Sequence, residues 1–261
     1  MRQPASFQIA AASVLTVGVA FTSHEAAHAL VGWLAGGHPT LLTATEVRGD
    51  FDELTRWGRA ALGGAGTVAN LLLAALGWWG YRRSRGARPR LVSWFFFALN
   101  GSLVGTKMIG EALAGWGDWM TILRPWPQVN ALRWVIAILG LVWVALVVRK
   151  AGPALARLLP AGLPRERVAA ARRLLAIGML ATAALVLGAS VANPAGSARG
   201  MLLATGAALG SFAPLFFAAR FAQTVPPDPE PETRGAGWPW LAAAGVVTLT
   251  LWLVVGPGIR F

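Results

Sequence analysis

Long apolar stretches, each bounded by short charged segments, constrain the fold of this chain more than any other feature. An α-helix needs about 20 apolar residues to cross the hydrocarbon core of a bilayer, and stretches of that kind recur along the whole sequence. The composition agrees, because 56% of the 261 residues are hydrophobic and only 13% are charged. We therefore predict an all-α polytopic membrane protein, a single bundle of about six to seven transmembrane helices in a lipid bilayer.

Seven stretches are candidate spans, and the first runs from about Phe7 to Ala35. The others are approximately Arg59 to Tyr81, Leu91 to Leu113, Leu132 to Val148, Leu174 to Val191, Met201 to Phe221 and Trp238 to Val255. After the first stretch, a β-prone segment and the turn-like Arg48-Gly49-Asp50 predict a small β-hairpin or a re-entrant element at the membrane edge. A Pro-rich acidic linker at about 223–237 is expected to be extended and solvated.

The N-terminal stretch also has features of a signal peptide, with Ala27-His28-Ala29 as the cleavage site. The apolar region of a signal peptide is about 7–15 residues long. Because this stretch continues through Val31-Gly32-Trp33-Leu34-Ala35, we expect a retained span instead.

The basic residues lie mainly between the spans, where they usually set membrane topology. The formal net charge is +12, but no basic face with interleaved aromatic residues is evident, so we expect no nucleic-acid partner. With seven spans, the side that holds the N-terminus carries fifteen of the arginines and lysines outside the spans, and the other side carries seven. The positive-inside rule then favours a cytoplasmic N-terminus. We expect a multi-pass protein of a bacterial-type cell membrane.

The first span contains the motif His24-Glu25-Ala26-Ala27-His28. On a helix, His24 and His28 lie one turn apart on the same face and can bind one metal ion, and Glu25 can reach a water molecule on that ion. An ionisable side chain in a span costs about 2.5–3.5 kcal/mol on insertion scales, so three together need a compensating partner. We interpret the motif as a metal site, with a polar cluster between helices or a proton or ion pathway as alternatives.

Catalytic zinc sites use three protein ligands and leave one position for water, so the third ligand must come from elsewhere in the chain. There is no cysteine, which excludes a thiolate ligand and a cysteine nucleophile. The candidates are Glu111 and Asp118. We favour Asp118, because Glu111 lies one turn after Lys107 and a neutralised Lys-Glu pair explains it. His38 is a further candidate, although a solvated loop histidine explains it as well.

The order of these motifs resembles the site-2 protease family of intramembrane zinc metalloproteases, in particular its M50B-like members. The resemblance covers about residues 7–125 and rests on three segments: His24 to Leu30, the Gly64–Leu72 stretch that contains Asn70, and Gly117-Asp118-Trp119. It implies a three-helix metalloprotease core at residues 1–125 and accessory helices at residues 126–261. In that core Zn²⁺ would be bound by His24, His28 and Asp118.

The resemblance also implies a reaction, the hydrolysis of peptide bonds in or near transmembrane segments of a membrane-protein substrate, with Glu25 as general base. Asn70 would lie beside the site and bind substrate. Two features depart from the family. The family's third motif commonly contains an Asn, spaced prolines and Leu-Asp-Gly, a pattern that is absent around Asp118. The family's site usually faces the cytosol, whereas the arginine tally places this site outside.

Two other functions remain open at this point. The first is a transporter or an ion- or metal-handling protein, and the second is a proteolytically inactive member of the same fold. The sequence does not indicate the oligomeric state.

Overall fold

Long α-helices make up most of the chain, as its apolar stretches predict. The computed structural model describes residues 6–193, 198–228 and 238–261. Five of the described helices have 28 residues or more: α1 (Ser6–Leu34), α2 (Arg56–Arg83), α3 (Ala87–Ala114), α5 (Val129–Leu158) and α6 (Pro164–Val191). The shorter helices are α4 (Asp118–Leu123), α7 (Ala198–Phe212), α8 (Leu215–Ala218), a 3₁₀ helix (Ala219–Gln223) and α9 (Trp238–Thr250), which continues as a π-helical turn at Leu251–Val255.

Four of the described helices, α1, α2, α5 and α6, are long and apolar enough to cross a membrane. Most of the apolar side chains of α5 lie on the outside of the bundle, including Ile138 and Leu141. Such a surface is stable against lipid and unfavourable in water. A mostly helical protein with membrane-length helices is therefore confirmed, whereas the number of spans and the division at residue 125 stay predictions.

The basic segment between the predicted spans Leu132–Val148 and Leu174–Val191 was expected to be a loop, and this prediction was wrong because most of the segment is helical. α5 continues to Leu158 and α6 already begins at Pro164. Arginine and lysine are good helix formers, so the helices extend beyond their apolar stretches. The start of α6 is well defined, because the Glu166 carboxylate accepts a hydrogen bond of 3.1 Å from the Leu163 amide and proline is favoured in the first turn.

The predicted span from Met201 to Phe221 is not one continuous helix. α7 ends at Phe212, and α8 begins only after Pro214. Proline has no amide hydrogen and its ring collides with the preceding turn, which breaks the helix at this point. Most of the predicted acidic linker lies outside the described residues. Its Asp228 is paired with Arg90 at 2.6 Å, so this part of the linker is not simply solvated.

The predicted β-hairpin is present and consists of β1 (His38–Leu42) and β2 (Val47–Asp50), which pair antiparallel. The Thr43 hydroxyl stabilises the connecting turn by accepting a hydrogen bond of 3.1 Å from the Glu46 amide. A third strand, β3 (Ile259–Arg260), was not predicted. It pairs antiparallel with β1, so that the strand order is β2-β1-β3.

Helix α3 lies at the centre of the bundle, where it packs against α1, α2, α5 and α7. Its Trp94 and Phe95 side chains are fully buried, and the Trp94 indole donates a hydrogen bond of 3.0 Å to the Ala151 carbonyl on α5. On the other side, Gly77 of α2 lies directly against the backbone of α3 at Phe97. These contacts fix α3, whose C-terminal end leads into the candidate site.

Candidate metal centre

The structure brings His24, His28 and Asp118 together in one buried cluster that could hold a metal ion. His24 and His28 lie on the same face of α1 and are 4% and 7% exposed. Asp118 Oδ2 is 3.0 Å from His24 Nε2 and 3.3 Å from His28 Nε2. The two Nε2 atoms are 3.2 Å apart. The potential ligand atoms therefore form a nearly equilateral triangle.

Two glycines bring Asp118 to this position. α3 ends at Ala114 and is capped by Gly115, which is in the left-handed conformation and whose amide donates to the Glu111 carbonyl. Gly117 then adopts φ 106° and ψ −169°, a region that is essentially restricted to glycine. The chain reverses there, and Asp118 begins α4 facing α1. The Glu111 carboxylate secures the reversal by accepting a hydrogen bond of 2.8 Å from the Trp119 amide.

Hydrogen bonds identify which ring nitrogen of each histidine is free for a metal. His28 Nδ1 is 2.6 Å from the Leu62 carbonyl oxygen. A carbonyl only accepts, so this nitrogen carries the hydrogen, and in the neutral imidazole that binds metals His28 Nε2 keeps its lone pair. The Lys107 ammonium is 3.0 Å from His24 Nε2 and can only donate, so this nitrogen is an acceptor too. Both lone pairs thus point toward Asp118.

This donor set fits a tetrahedral divalent metal. Nitrogen and oxygen ligands lie about 2.0–2.1 Å from zinc, which puts two tetrahedral ligands about 3.3 Å apart. The three separations here are 3.0, 3.2 and 3.3 Å. Three atoms that each present a lone pair repel one another at such distances unless a cation lies among them. Two imidazoles and a carboxylate with an open side are also the ligands of catalytic zinc sites.

Residues of α2 support His24 from behind. Gly66 lies flat against the imidazole ring, where a side chain would overlap it. Asn70 is fully buried, with its Nδ2 3.2 Å from His24 Nδ1 and its Oδ1 without a hydrogen-bond partner. Because His24 Nδ1 carries the hydrogen, the amide oxygen is the atom that can accept it, and a half-turn of the amide places it there. Such a bond orients a metal-binding histidine.

The charge of Asp118 is set by two opposing effects. Burial is the largest single effect and would raise the pKa of Asp118, but the Lys107 ammonium 2.7 Å away and the contacts with His24 and His28 together outweigh it and hold that pKa well below its usual value. Asp118 is therefore a carboxylate, the form that binds metals. Lys107 also lies 3.3 Å from the Glu111 carboxylate on the same helix.

A cavity of about 690 Å³ opens onto the three ligand candidates. Its walls come from α1, the β1–β2 turn and β2, α3, α4 and α7. Glu25 lines this cavity and is 9% exposed. None of the described residues donates a hydrogen bond to its carboxylate or pairs with it, so Glu25 is free to bind a water molecule or a substrate group there.

Of the two carboxylates considered as third ligand, Asp118 is the one that lies in a cluster with His24 and His28. The Glu111 carboxylate also lines the cavity, but it is engaged by Trp119 and Lys107 and is not part of the ligand cluster. His38 lies exposed in β1, away from the cavity. Asn70 lies behind His24 and does not line the cavity, and its role in substrate binding stays a prediction.

Sequence reasoning missed two residues at the site. Lys107 was predicted as the partner of Glu111 or as part of an ion path, but not as a contact of the metal centre, where it lies beside Asp118 and His24. Gly66 belongs to a small-residue stretch that is equally typical of close helix packing. A single lysine among the apolar residues of α3 was the sequence feature that could have indicated a role of Lys107 at the site.

No family model matches the chain, and comparison with curated proteins and with solved structures likewise gives no match. A fold by itself does not determine an activity, so the function has to be inferred from the chemistry of the site.

Proposed function

We propose that this protein is an intramembrane zinc metalloendopeptidase, an M50B-like member of the site-2 protease family, which hydrolyses peptide bonds in or near transmembrane segments of membrane proteins. One observation carries the proposal. The lone pairs of His24 and His28 and the Asp118 carboxylate converge within 3.3 Å beside a cavity that the unpaired Glu25 carboxylate also lines. Metal ligands, a general base and a space for substrate are thus combined in one place.

In the proposed mechanism His24, His28 and Asp118 would hold a zinc ion, which would supply polarisation of the scissile carbonyl and a lowered pKa of the attacking water. Glu25 takes the proton from the attacking water as the water oxygen bonds to the carbonyl carbon. The same carboxyl group then gives that proton to the leaving amine as the carbon–nitrogen bond breaks. One water is consumed, and a new carboxyl and a new amine are formed.

The cavity restricts how a substrate reaches the site. Its lining is mostly apolar. In a transmembrane helix each peptide carbonyl is hydrogen-bonded within the helix. A substrate segment must therefore unwind locally before its carbonyl can approach Glu25, and segments with weak helix formers are the expected substrates.

The decisive test compares wild type with Glu25→Gln in proteoliposomes that contain single-span membrane proteins, with the products identified by mass spectrometry. We expect loss of cleavage with zinc content unchanged, because Gln keeps the shape of Glu but does not accept the proton. Glu53→Gln is the matched control, since Glu53 is exposed and lies outside the cavity. Equal cleavage by wild type and Glu25→Gln would refute the catalytic role.

A second candidate function is the transport of a metal ion or proton. The observation in its favour is that seven ionisable residues line the same cavity, namely His24, Glu25, His28, Glu46, Lys107, Glu111 and Asp118. Transport predicts zinc- or proton-dependent flux into liposomes without any cleaved product. A proteolytically inactive protein of this fold would bind zinc but show neither cleavage nor flux.

A further inference from the structure

The Lys107 ammonium lies on the atoms that would bind the metal. It is 2.7 Å from Asp118 Oδ2 and 3.0 Å from His24 Nε2. The chain has only one other lysine, Lys150, which lies over the ring of Trp78 on α2. Lys107 is mostly buried, with 19% of its side chain exposed. Its position is therefore set by the site.

The ammonium and a metal cannot use these atoms at the same time. A neutral imidazole has one lone pair, and on His24 it lies at Nε2. Either an ammonium hydrogen or a metal ion can occupy that lone pair. Even if Lys107 kept only its bond to Asp118, its positive charge would lie next to a divalent cation, which is strongly unfavourable in a buried site.

We infer that Lys107 is a built-in competitor for the metal: its ammonium bridges His24 and Asp118 in the metal-free protein, and metal binding displaces it toward Glu111. The inference rests on the metal site of the proposed function and adds a means by which the protein regulates how tightly that site holds its ion. In the metal-free state the ammonium supplies the positive charge that the three converging lone pairs require.

Glu111 is placed to receive the displaced ammonium. Its Oε1 is 3.3 Å from Lys107 Nζ, one helical turn further along α3. The other oxygen of the carboxylate accepts the hydrogen bond from the Trp119 amide. Glu111 is thereby held in place while the flexible lysine moves. The exchange needs only rotations in one side chain, so the backbone that positions Asp118 is unaffected.

Two substitutions should shift zinc affinity in opposite directions. In Lys107→Met the competitor is lost and the stem is kept, so we expect zinc to bind about tenfold tighter or more. In Glu111→Gln the displaced ammonium loses its partner, so we expect zinc to bind about tenfold more weakly. The matched control Lys150→Met removes the other lysine and should leave zinc affinity unchanged. The measurement is zinc titration of the purified full chain against a competing chelator.

Thermal unfolding gives a second readout. Metal-free Lys107→Met should unfold at a lower temperature than metal-free wild type, and added zinc should restore it, because the ion then replaces the missing ammonium. A merely structural Lys-Glu pair would lower the unfolding temperature in both variants and leave zinc affinity as it is.

Three outcomes overturn the inference. The first is a zinc affinity of Lys107→Met that is equal to or below that of a wild-type protein that binds zinc. This result would leave the proposed function unaffected. The second applies if Lys107→Met does not fold: a zinc affinity of Glu111→Gln equal to that of wild type also overturns the inference. Failure of wild type and both variants to bind zinc would remove the metal site itself, and the inference with it.

Discussion

Substitution of Gly66 by alanine tests the geometry of the metal centre without touching any proposed ligand. Gly66 packs flat against the His24 ring, and an alanine Cβ would lie 2.5 Å from His24 Nδ1 and closer still to two other ring atoms. Non-bonded carbon and nitrogen atoms need about 3.5 Å. The ring must therefore retreat by about 1 Å, or α1 and α2 must move apart by as much.

A displacement of that size is large for a metal site, where ligand distances are held to within about 0.2 Å. Loss of a supporting contact alone typically costs about 10- to 100-fold in metal affinity. Here the ligand itself is displaced, so we expect Gly66→Ala to lower zinc affinity by about 100-fold or more. Alanine is the better helix former by about 1 kcal/mol, so general loss of helix stability does not account for such a result.

The assay is zinc content after purification, followed by titration against a chelator and thermal unfolding of the metal-free protein. Gly64→Ala is the control, because a Cβ at Gly64 meets only Ile122 Cδ1, at 3.9 Å. It should keep its zinc and be as stable as wild type or slightly more stable. Zinc affinity of Gly66→Ala equal to that of wild type would show that His24 is not held against α2 as described.

Three further predictions concern neighbouring residues. Asn70→Leu keeps the branched shape of the side chain but loses the hydrogen bond to His24, and we expect zinc affinity, measured by chelator competition, to fall about 10- to 100-fold; an unchanged value would exclude an orienting role. Gly117→Ala forces a side chain into a conformation that favours glycine and should cost about 1–3 kcal/mol in thermal unfolding and displace Asp118, whereas wild-type stability would contradict the described turn. Gly77→Leu inserts a side chain where α2 touches the α3 backbone and should destabilise the protein by about 1–3 kcal/mol, measured by thermal unfolding; no loss would mean that α2 and α3 lie further apart.

The parts of this protein that could be predicted from sequence are those that local periodicity determines. His24 and His28 share a face because they are four residues apart on a helix. The hairpin follows from a β-prone segment around turn residues. Helix ends were less predictable, because Arg and Lys continue a helix beyond its apolar stretch, as at the end of α5.

The remaining features depend on how distant segments are placed relative to one another. Nothing local to Lys107 indicates that Asp118 lies beside it, since two glycine turns set that contact. Gly66 faces His24 only because of the rotation of α2 against α1. The pairing of β3 with β1 joins residues more than two hundred positions apart, and a two-residue strand has no recognisable pattern.

That pairing limits the number of membrane crossings. Three strands that share backbone hydrogen bonds lie on one side of the bilayer, so the chain between β1 and β3 must cross an even number of times. α2, α5 and α6 are long and apolar enough to supply three crossings. If all three cross, the other described helices between β1 and β3 must together add an odd number of crossings. If α3 supplies one of these, α7 and α9 must either both cross or both remain on one side.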